Sequence, residues 1–284
     1  MKKEEVQKTV RERYGRIAKE SNSCGCAGSI PNQKFSSCCG NSTTAAGTIS
    51  KQIGYTDADI NAVPEGANLG LGCGNPIALA SLKEGEVVLD LGSGGGFDCF
   101  LASEKVGAKG KIIGVDMTAE MLEKARENAR IGGYQNVEFR LGEIENLPVA
   151  DNSVDVIISN CVINLSNDKP RVFAEAFRVL RPGGRLMVSD LVVLKELPDF
   201  IKESVDAYIG CVSGAMKKEE YLKAIKSAGF EKVKVVDQSI FPLDCFIGDP
   251  AAKVIMADLK ITPEQVKDIS ASIASVKVQG AKPG

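Results

Sequence analysis

Short apolar runs alternate with amphipathic stretches through the middle of the chain. The runs that we predict as strands are Val87 to Leu91, Lys111 to Asp116, Val137 to Leu141, Val154 to Ser159 and Arg185 to Asp190. The stretches between them predict helices that reach about Val106, cover Ala119 to Ile131, and run from about Lys169 to Leu180. Strands that alternate with helices predict an α/β fold with a doubly wound, mostly parallel sheet.

Both ends of the chain depart from this alternation. Residues 3 to 20 carry Val10, Tyr14 and Ile17 at helical spacing among charged residues, which predicts an amphipathic helix that packs on the main domain. The segment from Ser21 to Thr48 has almost no periodicity and predicts a mobile loop. For the C-terminal part we expect a helix near Glu219 to Ala228, a strand at Val233 to Val236, two short helices after Asp249, and a strand around Ile273 to Val278.

Charge and hydropathy limit the classes of partner. The 284 residues include 35 Lys and Arg against 37 Asp and Glu, which gives no basic field for a phosphate backbone or an anionic membrane. We therefore expect no nucleic acid and no membrane as partners. The first residues lack the apolar core of a signal peptide, and no apolar run approaches the roughly 18 residues of a membrane span. These features predict a soluble, cytoplasmic protein.

Two residue counts narrow the chemistry, since the chain has nine cysteines and no histidine. An odd number of cysteines in an intracellular chain favours reactive thiols, metal or metalloid ligands, or redox work over a disulfide framework. The lack of histidine excludes hydrolase triads of the histidine type and zinc sites that contain histidine.

The first predicted strand leads into a glycine-rich loop, DLGSGGG, from Asp90 to Gly96. Glycines there let the backbone approach a ligand closely and turn sharply into a helix. Asp116 ends the second strand twenty residues after Gly96, where a carboxylate can accept both hydroxyls of a ribose. Dinucleotide oxidoreductases have a similar loop, so the loop alone leaves a dinucleotide site or a purely structural turn open.

Two further motifs accompany the loop: GEIENLP from Gly142 and LRPGG from Leu180. With them, about residues 70 to 240 resemble the class I S-adenosylmethionine methyltransferases, whose fold is Rossmann-like. The resemblance implies S-adenosylmethionine as cosubstrate, with no metal cofactor. The donor-binding residues that it implies are Asp90, Gly92, Ser93, Gly94 and Gly96 for the methionine portion, Asp116 and Met117 for the ribose and adenine, Glu143 or Ile144 for the adenine edge, and Asn160 beside them.

Three cysteines point to the acceptor. Ligands of open parallel sheets lie beyond the carboxyl ends of the strands, so the loop after the fourth strand places Cys161 near the donor. A single cysteine there could also be a buried packing residue. Cys73 and Cys211 are flanked by glycine, as in exposed loops. Three thiolates without histidine suit a soft, thiophilic ion, although their spacing lacks the C-x-x-C pattern of a zinc ribbon.

The segments around Cys73, Cys161 and Cys211, with Leu180 to Asp190 between the last two, resemble the arsenite S-adenosylmethionine methyltransferases. The similarity covers nearly the whole chain. It implies that these three cysteines are the catalytic residues and the ligands of trivalent arsenic, and that a fourth cysteine takes part in arsenic capture and in a disulfide step. The candidates for the fourth, among which the sequence does not choose, are Cys24, Cys26, Cys38 and Cys39.

The resemblance implies arsenic detoxification, in which methyl groups pass from S-adenosylmethionine to arsenite and thioredoxin or glutathione is the reductant. Residues 1–66 then form an N-terminal helix and Cys-rich loop, 67–195 the donor domain, and 196–284 an α+β segment that completes the arsenic site. The alternatives are a methyltransferase of a small organic acceptor with structural cysteines, and a thiol protein that senses or sequesters arsenite or zinc. Cys99 and Cys245 are predicted to be packing residues.

Overall fold

A computed structural model describes residues 3–20, 45–76, 80–198, 214–240 and 268–284. The four cysteines of the predicted N-terminal loop, together with Cys211 and Cys245, lie outside these residues, as do residues 249–267 of the tail in which two short helices are predicted. Residues 268–271 of that tail are helical. The boundaries predicted for the three domains are not tested by the fold.

Within the described residues, seven strands form one sheet. Their bounds are β1 Val87–Leu91, β2 Lys111–Asp116, β3 Val137–Leu141, β4 Val154–Asn160, β5 Leu180–Val193, β6 Glu231–Ile240 and β7 Ile273–Ala281. The helices are α1 Lys3–Glu20, α2 Ala45–Gln52, α3 Asp57–Asn61, α4 Phe97–Val106, α5 Ala119–Gly132, α6 Lys169–Val179 and α7 Lys218–Ser227, with a 3₁₀ turn at Ile163–Leu165.

The strand order is β3-β2-β1-β4-β5-β7-β6. Strands β1 to β5 pair in parallel, whereas β7 pairs antiparallel with both β5 and β6. The order reverses between β1 and β4, and ligands of doubly wound sheets bind beyond the carboxyl ends of the strands at such a point. The predicted α/β fold with a mostly parallel sheet is confirmed, and it is the fold of the class I methyltransferases.

Strands β1, β2 and β4, at the centre of the sheet, are buried on both faces because helices cover each side of the sheet. Successive residues of one strand point to opposite faces, so Val88 packs in one apolar cluster while Leu89 and Leu91 pack in the other. The same alternation separates Val156 from Ile157 in β4. This double burial explains why the strands of the core read as nearly continuous apolar runs.

Three predicted elements need correction. Ala45–Gln52 is helical, so the predicted loop from Ser21 to Thr48 ends earlier than expected. The fifth strand is longer than Arg185 to Asp190 because it pairs with β7 as far as Val193. Strand β6 is likewise longer than Val233 to Val236, since its pairing with β7 includes exposed polar positions that carry no apolar signal.

The N-terminal helix α1 is confirmed, and it packs on the main domain. Lys19 donates to the carboxylate of Glu120 on α5 over 2.9 Å, and Arg11 donates to Glu143 over 3.0 Å. Its apolar face, which includes Val10 and Tyr14, closes one side of a cavity above the sheet. In the described part of the chain, no helix is both long and apolar enough to cross a membrane.

Candidate active site

A cavity of about 540 Å³ lies at the carboxyl ends of the central parallel strands. Its floor includes the glycine-rich loop after β1, and its sides include Asp116 after β2 and the loop after β4. Helix α1 and the start of α2 cover it from outside. The cavity therefore occupies the position that the strand order predicts for a ligand.

The glycine-rich loop is fixed to the neighbouring strand β2. The N–H groups of Gly92 and Ser93 both donate to the carbonyl of Val115, over 2.8 and 3.0 Å. Gly94 has φ +51°, and the space where a Cβ would stand is open, so its bare backbone faces the cavity. A loop with this shape leaves room for a ligand that lies directly against main-chain atoms.

Asp116 connects this loop to the start of helix α5. One carboxylate oxygen accepts the N–H of Gly94 over 3.0 Å, and the other accepts the N–H of Thr118 over 2.9 Å. Burial raises the pKa of the Asp116 carboxyl, although these hydrogen bonds oppose the rise. The carboxylate also lines the cavity, so its remaining lone pairs are positioned to accept hydroxyls of a bound ligand.

Two buried polar atoms in the cavity wall test whether a polar ligand fits. Ser93 Oγ and Asn68 Nδ2 are buried, and neither has a hydrogen-bond partner among the described residues. Buried polar groups are nearly always hydrogen-bonded, so an unpaired pair in one cavity indicates a ligand that supplies the partners. Asn68 was missed from the sequence, because it lies in a turn-rich stretch ahead of the first strand.

The structure brings most of the predicted donor residues together. Those that line the cavity are Asp90, Gly92, Ser93, Gly94, Asp116, Met117, Ile144 and Asn160. Gly96 and Glu143 do not line it. Gly96 precedes α4 with φ +94°, and a Cβ there would lie 2.7 Å from the ring of Phe100, so this glycine serves a turn. The carboxylate of Glu143 is turned to Arg11, which leaves Ile144 at the cavity wall.

Cys161 stands where the acceptor is expected. It follows β4 directly, lines the cavity, and is half-buried. Its φ of +58° is unusual for a residue other than glycine, and its N–H donates to the carbonyl of Ser189 over 2.8 Å. Cys73 lies nearby and is buried, so the exposed loop that its flanking glycines predicted is wrong for this residue. Its N–H donates to Asn160 Oδ1 over 3.1 Å, and its carbonyl accepts the hydroxyl of Ser275 over 2.6 Å.

The two thiols meet a buried carboxylate. The sulfur atoms of Cys73 and Cys161 and a carboxylate oxygen of Asp190 all lie within 4.8 Å of one another. Asp190 is 1% exposed, and burial raises its pKa to about 7 against the opposing effect of its hydrogen bonds. Cys211 lies outside the described residues, so its place in this group stays a prediction.

Comparison with known proteins identifies the family. The family model for a methyltransferase domain matches residues 82–229. The arsenite methyltransferase of Halobacterium salinarum is 50% identical over 232 residues, which cover 82% of this chain and 59% of that protein. The human arsenite methyltransferase is 34% identical over 84% of this chain and 62% of its own length.

A solved structure gives the deciding match. An arsenic(III) S-adenosylmethionine methyltransferase from Chlamydomonas reinhardtii is 31% identical, with a TM-score of 0.60, over 83% of this chain and 73% of that one. The chain belongs to the arsenite methyltransferase family. It spans about three fifths of the length of the Halobacterium and human relatives.

In this member of the arsenite methyltransferase family, the side-chain amide of Asn160 lines the cavity and also binds the backbone of the segment that carries Cys73. Asn160 accepts from Cys73 N–H and donates through Nδ2 to the carbonyl of Gly74, 2.7 Å away, and to Tyr55 Oη, 2.9 Å away. Tyr55 in turn donates to Asp98 over 2.6 Å. These hydrogen bonds connect the backbone of Cys73, through Asn160 and Tyr55, to Asp98.

Buried carboxylates lie behind the donor loop. Burial raises the pKa of Asp98 to about 6, and burial together with the charge of Asp98 raises that of Asp90 well above its ordinary value. Cys99 is fully buried and donates through Sγ to Asp90 over 3.2 Å. Its packing role stays a prediction, and this geometry supports it.

Sequence reasoning missed Asp190 as a neighbour of the two thiols. Asp190 was predicted as the last residue of the fifth strand, and the carboxyl ends of parallel strands are where ligands bind, so a signal was present. The residues next to Asp190 in the sequence did not distinguish it from an ordinary charged residue at the end of a strand. Its proximity to Cys73 depends on β4, β5 and the loop before β1 together.

Proposed function

We propose that this protein transfers methyl groups from S-adenosylmethionine to trivalent arsenic held by the thiolates of Cys73, Cys161 and Cys211. The observation that carries the proposal is that Cys161 lies both at the cavity wall and beside a second thiol. Its side chain lines the large cavity, and its sulfur lies within 4.8 Å of the Cys73 sulfur. An arsenic atom on these thiols would border the donor cavity. The family to which the chain belongs supports the same substrate.

The cavity has the features that the donor requires. S-adenosylmethionine supplies a methyl carbon that is electrophilic because it is bonded to a sulfonium sulfur. The unpaired Ser93 hydroxyl and Asn68 amide offer a donor or acceptor to its polar groups, and Asp116 would accept the ribose hydroxyls. The open backbone at Gly94 would allow close contact with the methionine portion.

Methyl transfer requires mainly that the protein align the arsenic lone pair with the methyl carbon. The arsenic lone pair forms a bond to the methyl carbon as the methyl–sulfur bond breaks, which leaves S-adenosylhomocysteine and formally oxidises the arsenic by two electrons. No proton leaves the attacking atom, so no general base is required, in agreement with a chain that lacks histidine. Orientation of two bound reactants can contribute about 7–11 kcal/mol in favourable systems.

A second step would restore trivalent arsenic. Two cysteine thiolates give up two electrons to the oxidised arsenic and form a disulfide, which thioredoxin or glutathione then reduces to close the cycle. The product is a methylated arsenical, and the role is arsenic detoxification. Such a cycle needs a reducing compartment, and we place the protein in the cytoplasm for that reason.

The test is methyl transfer in a defined mixture. The purified chain, arsenite, S-adenosylmethionine and a thiol reductant should yield methylated arsenic, separated by chromatography and detected by its arsenic content. A control mixture without arsenite should consume no donor. If arsenite stays unmethylated while a small organic acceptor is methylated, or while arsenite is merely bound, the proposal is wrong.

A further inference from the structure

The acceptor group contains one member that trivalent arsenic does not require. Beside the sulfurs of Cys73 and Cys161, a carboxylate oxygen of Asp190 completes a triangle with no side above 4.8 Å. Arsenic that is bound by three thiolates leaves this oxygen outside its ligand set. Two sulfurs and a carboxylate oxygen are, however, a familiar set for a divalent cation of borderline softness, such as Zn²⁺.

The carboxylate is held in place by neighbouring groups. Asp190 Oδ1 accepts the side-chain amide of Asn164 over 2.8 Å and the N–H of Leu191 over 2.9 Å. Asp190 Oδ2 accepts the hydroxyl of Tyr221 over 3.1 Å, which leaves this oxygen a further lone pair. Hydrogen bonds to a ligating carboxylate orient it and are typical of metal sites in proteins.

The surrounding charges are compatible with a cation. Lys169 is the nearby ammonium group that acts on Asp190, and its Nζ donates to the carbonyl of Ser166 over 2.9 Å. That contact directs the Lys169 ammonium to backbone oxygen. Two thiolates and one carboxylate carry three negative charges, so a divalent ion would remove most of the charge that burial otherwise penalises.

We infer that Cys73, Cys161 and Asp190 form a binding site for a borderline divalent cation, with Zn²⁺ as its representative, and that this ion competes with trivalent arsenic for the two thiols. Binding releases one proton from each thiol, the carboxylate binds as the anion, and water takes the fourth position of the ion. The competition rests on the proposed function, whereas the cation site does not.

The experiment uses the full chain with four substitutions, at Cys24, Cys26, Cys38 and Cys39, each to Ser. This parent removes the other cluster of cysteines that could bind zinc. Zn²⁺ affinity is measured by competition with a chromophoric chelator, in the absence of arsenite and donor. Co²⁺ in place of Zn²⁺ adds a spectroscopic signature, because a thiolate ligand gives a sulfur-to-cobalt charge-transfer band.

Four variants, one of them a matched control, separate ligation from structure. Asp190→Asn keeps the shape and should weaken Zn²⁺ by at least about tenfold, while arsenite affinity and melting temperature stay at the parent values. Cys161→Ser should weaken both ions and reduce the charge-transfer band. Asp151→Asn, at an exposed aspartate paired with Arg178, is the matched control and should change neither. Tyr221→Phe should retain Zn²⁺, since it removes only a hydrogen bond to the carboxylate.

The outcomes are distinct. Equal Zn²⁺ affinity in Asp190→Asn and the parent would overturn the cation site, and so would a joint loss of Zn²⁺, arsenite and thermal stability, which would make Asp190 structural. If added Zn²⁺ leaves the apparent arsenite affinity unchanged, the competition is overturned. If Zn²⁺ binds the parent as expected but the chain with all nine native cysteines never methylates arsenite, the proposed function fails and the cation site stands.

Discussion

The donor side and the acceptor side of the site are built over very different distances along the chain. On the donor side, the hydrogen bond that closes the loop joins Gly94 and Asp116, which are 22 positions apart. On the acceptor side, Cys73 is held by Asn160, 87 positions away, and by Ser275, 202 positions away. A local motif therefore specifies the glycine-rich loop of the donor side, whereas the group of thiols and carboxylate exists only once the sheet has formed.

The two sides also differ in the atoms that they offer. The donor side presents backbone, a hydroxyl and an amide along an open glycine loop, which suits a large polar ligand. The acceptor side presents sulfur beside a buried carboxylate, which suits a single soft or borderline ion. Substitutions should therefore affect one ligand and not the other, except at the residue that connects the two sides.

Cys161→Ser should give the largest difference between the effect on arsenite and the effect on the donor. Loss of an arsenic ligand at the cavity wall should lower methyl transfer to arsenite by at least about 100-fold, because small misplacements of a reacting atom cost that much. X-ray absorption at the arsenic edge should show one sulfur ligand fewer. Donor affinity, measured by calorimetry, should stay at the wild-type value. Wild-type turnover in this variant would remove Cys161 from the ligand set.

Asp116→Ala should show the reverse pattern. Lost hydrogen bonds to a charged group cost about 1.5–3 kcal/mol, so donor affinity should weaken about 10- to 100-fold. Arsenite affinity should not change, because Asp116 is absent from the group of thiols and carboxylate. Calorimetric titration with S-adenosylhomocysteine and with arsenite measures both. An unchanged donor affinity would show that the ribose assignment is wrong.

Asn160→Ala should lower the affinity for both ligands, unlike the two substitutions above. The substitution leaves Cys73 N–H without its acceptor and removes the amide donor to Tyr55, so both affinities should fall about two- to tenfold. The buried unpaired N–H should also lower the free energy of unfolding by about 1–3 kcal/mol. Titration of each ligand and denaturant unfolding give the three values. An effect on only one ligand would mean that Asn160 does not couple the sides.

Ser93→Ala should have the smallest effect. The hydroxyl has no partner in the described residues, so its removal should leave the free energy of unfolding unchanged or slightly raised. Donor affinity should fall about two- to fivefold, as expected for one neutral hydrogen bond. The same titration, with arsenite binding as the internal control, measures this change. A loss of stability without a loss of donor affinity would give Ser93 a structural role.

The contrast explains what could be predicted from sequence. Strands β1, β2 and β4 were predicted to within one residue because burial on both faces makes them nearly continuous apolar runs. The glycine loop and Asp116 form a local pattern with a known physical purpose. Cys161 followed from strand order alone, since a residue after β4 must face the cavity at the switch in strand order.

Other features had no local signal. Helix α2, AAGTISKQ, lies in a segment of small and polar residues, so its sequence shows almost no apolar periodicity. The exposed positions of β6 become a strand only by pairing with β7. Asp190 lies beside Cys73, which is distant in the sequence, and Asn68 lies in a turn-rich stretch without periodicity. Glu143 has an apolar neighbour, Ile144, at the cavity wall, and only the ion pair with Arg11 shows which of the two faces outward.

The most direct measurement is a single turnover with a methyl-labelled donor. Protein loaded with one equivalent of arsenite is mixed with S-adenosylmethionine that carries a carbon-13 methyl group, then quenched, and the arsenic species are separated by mass. The account predicts labelled methylarsenic in wild-type protein and none in Cys161→Ser, although both bind the donor. Recovery of unmethylated arsenite from the wild-type protein, with the donor bound but intact, would contradict the account.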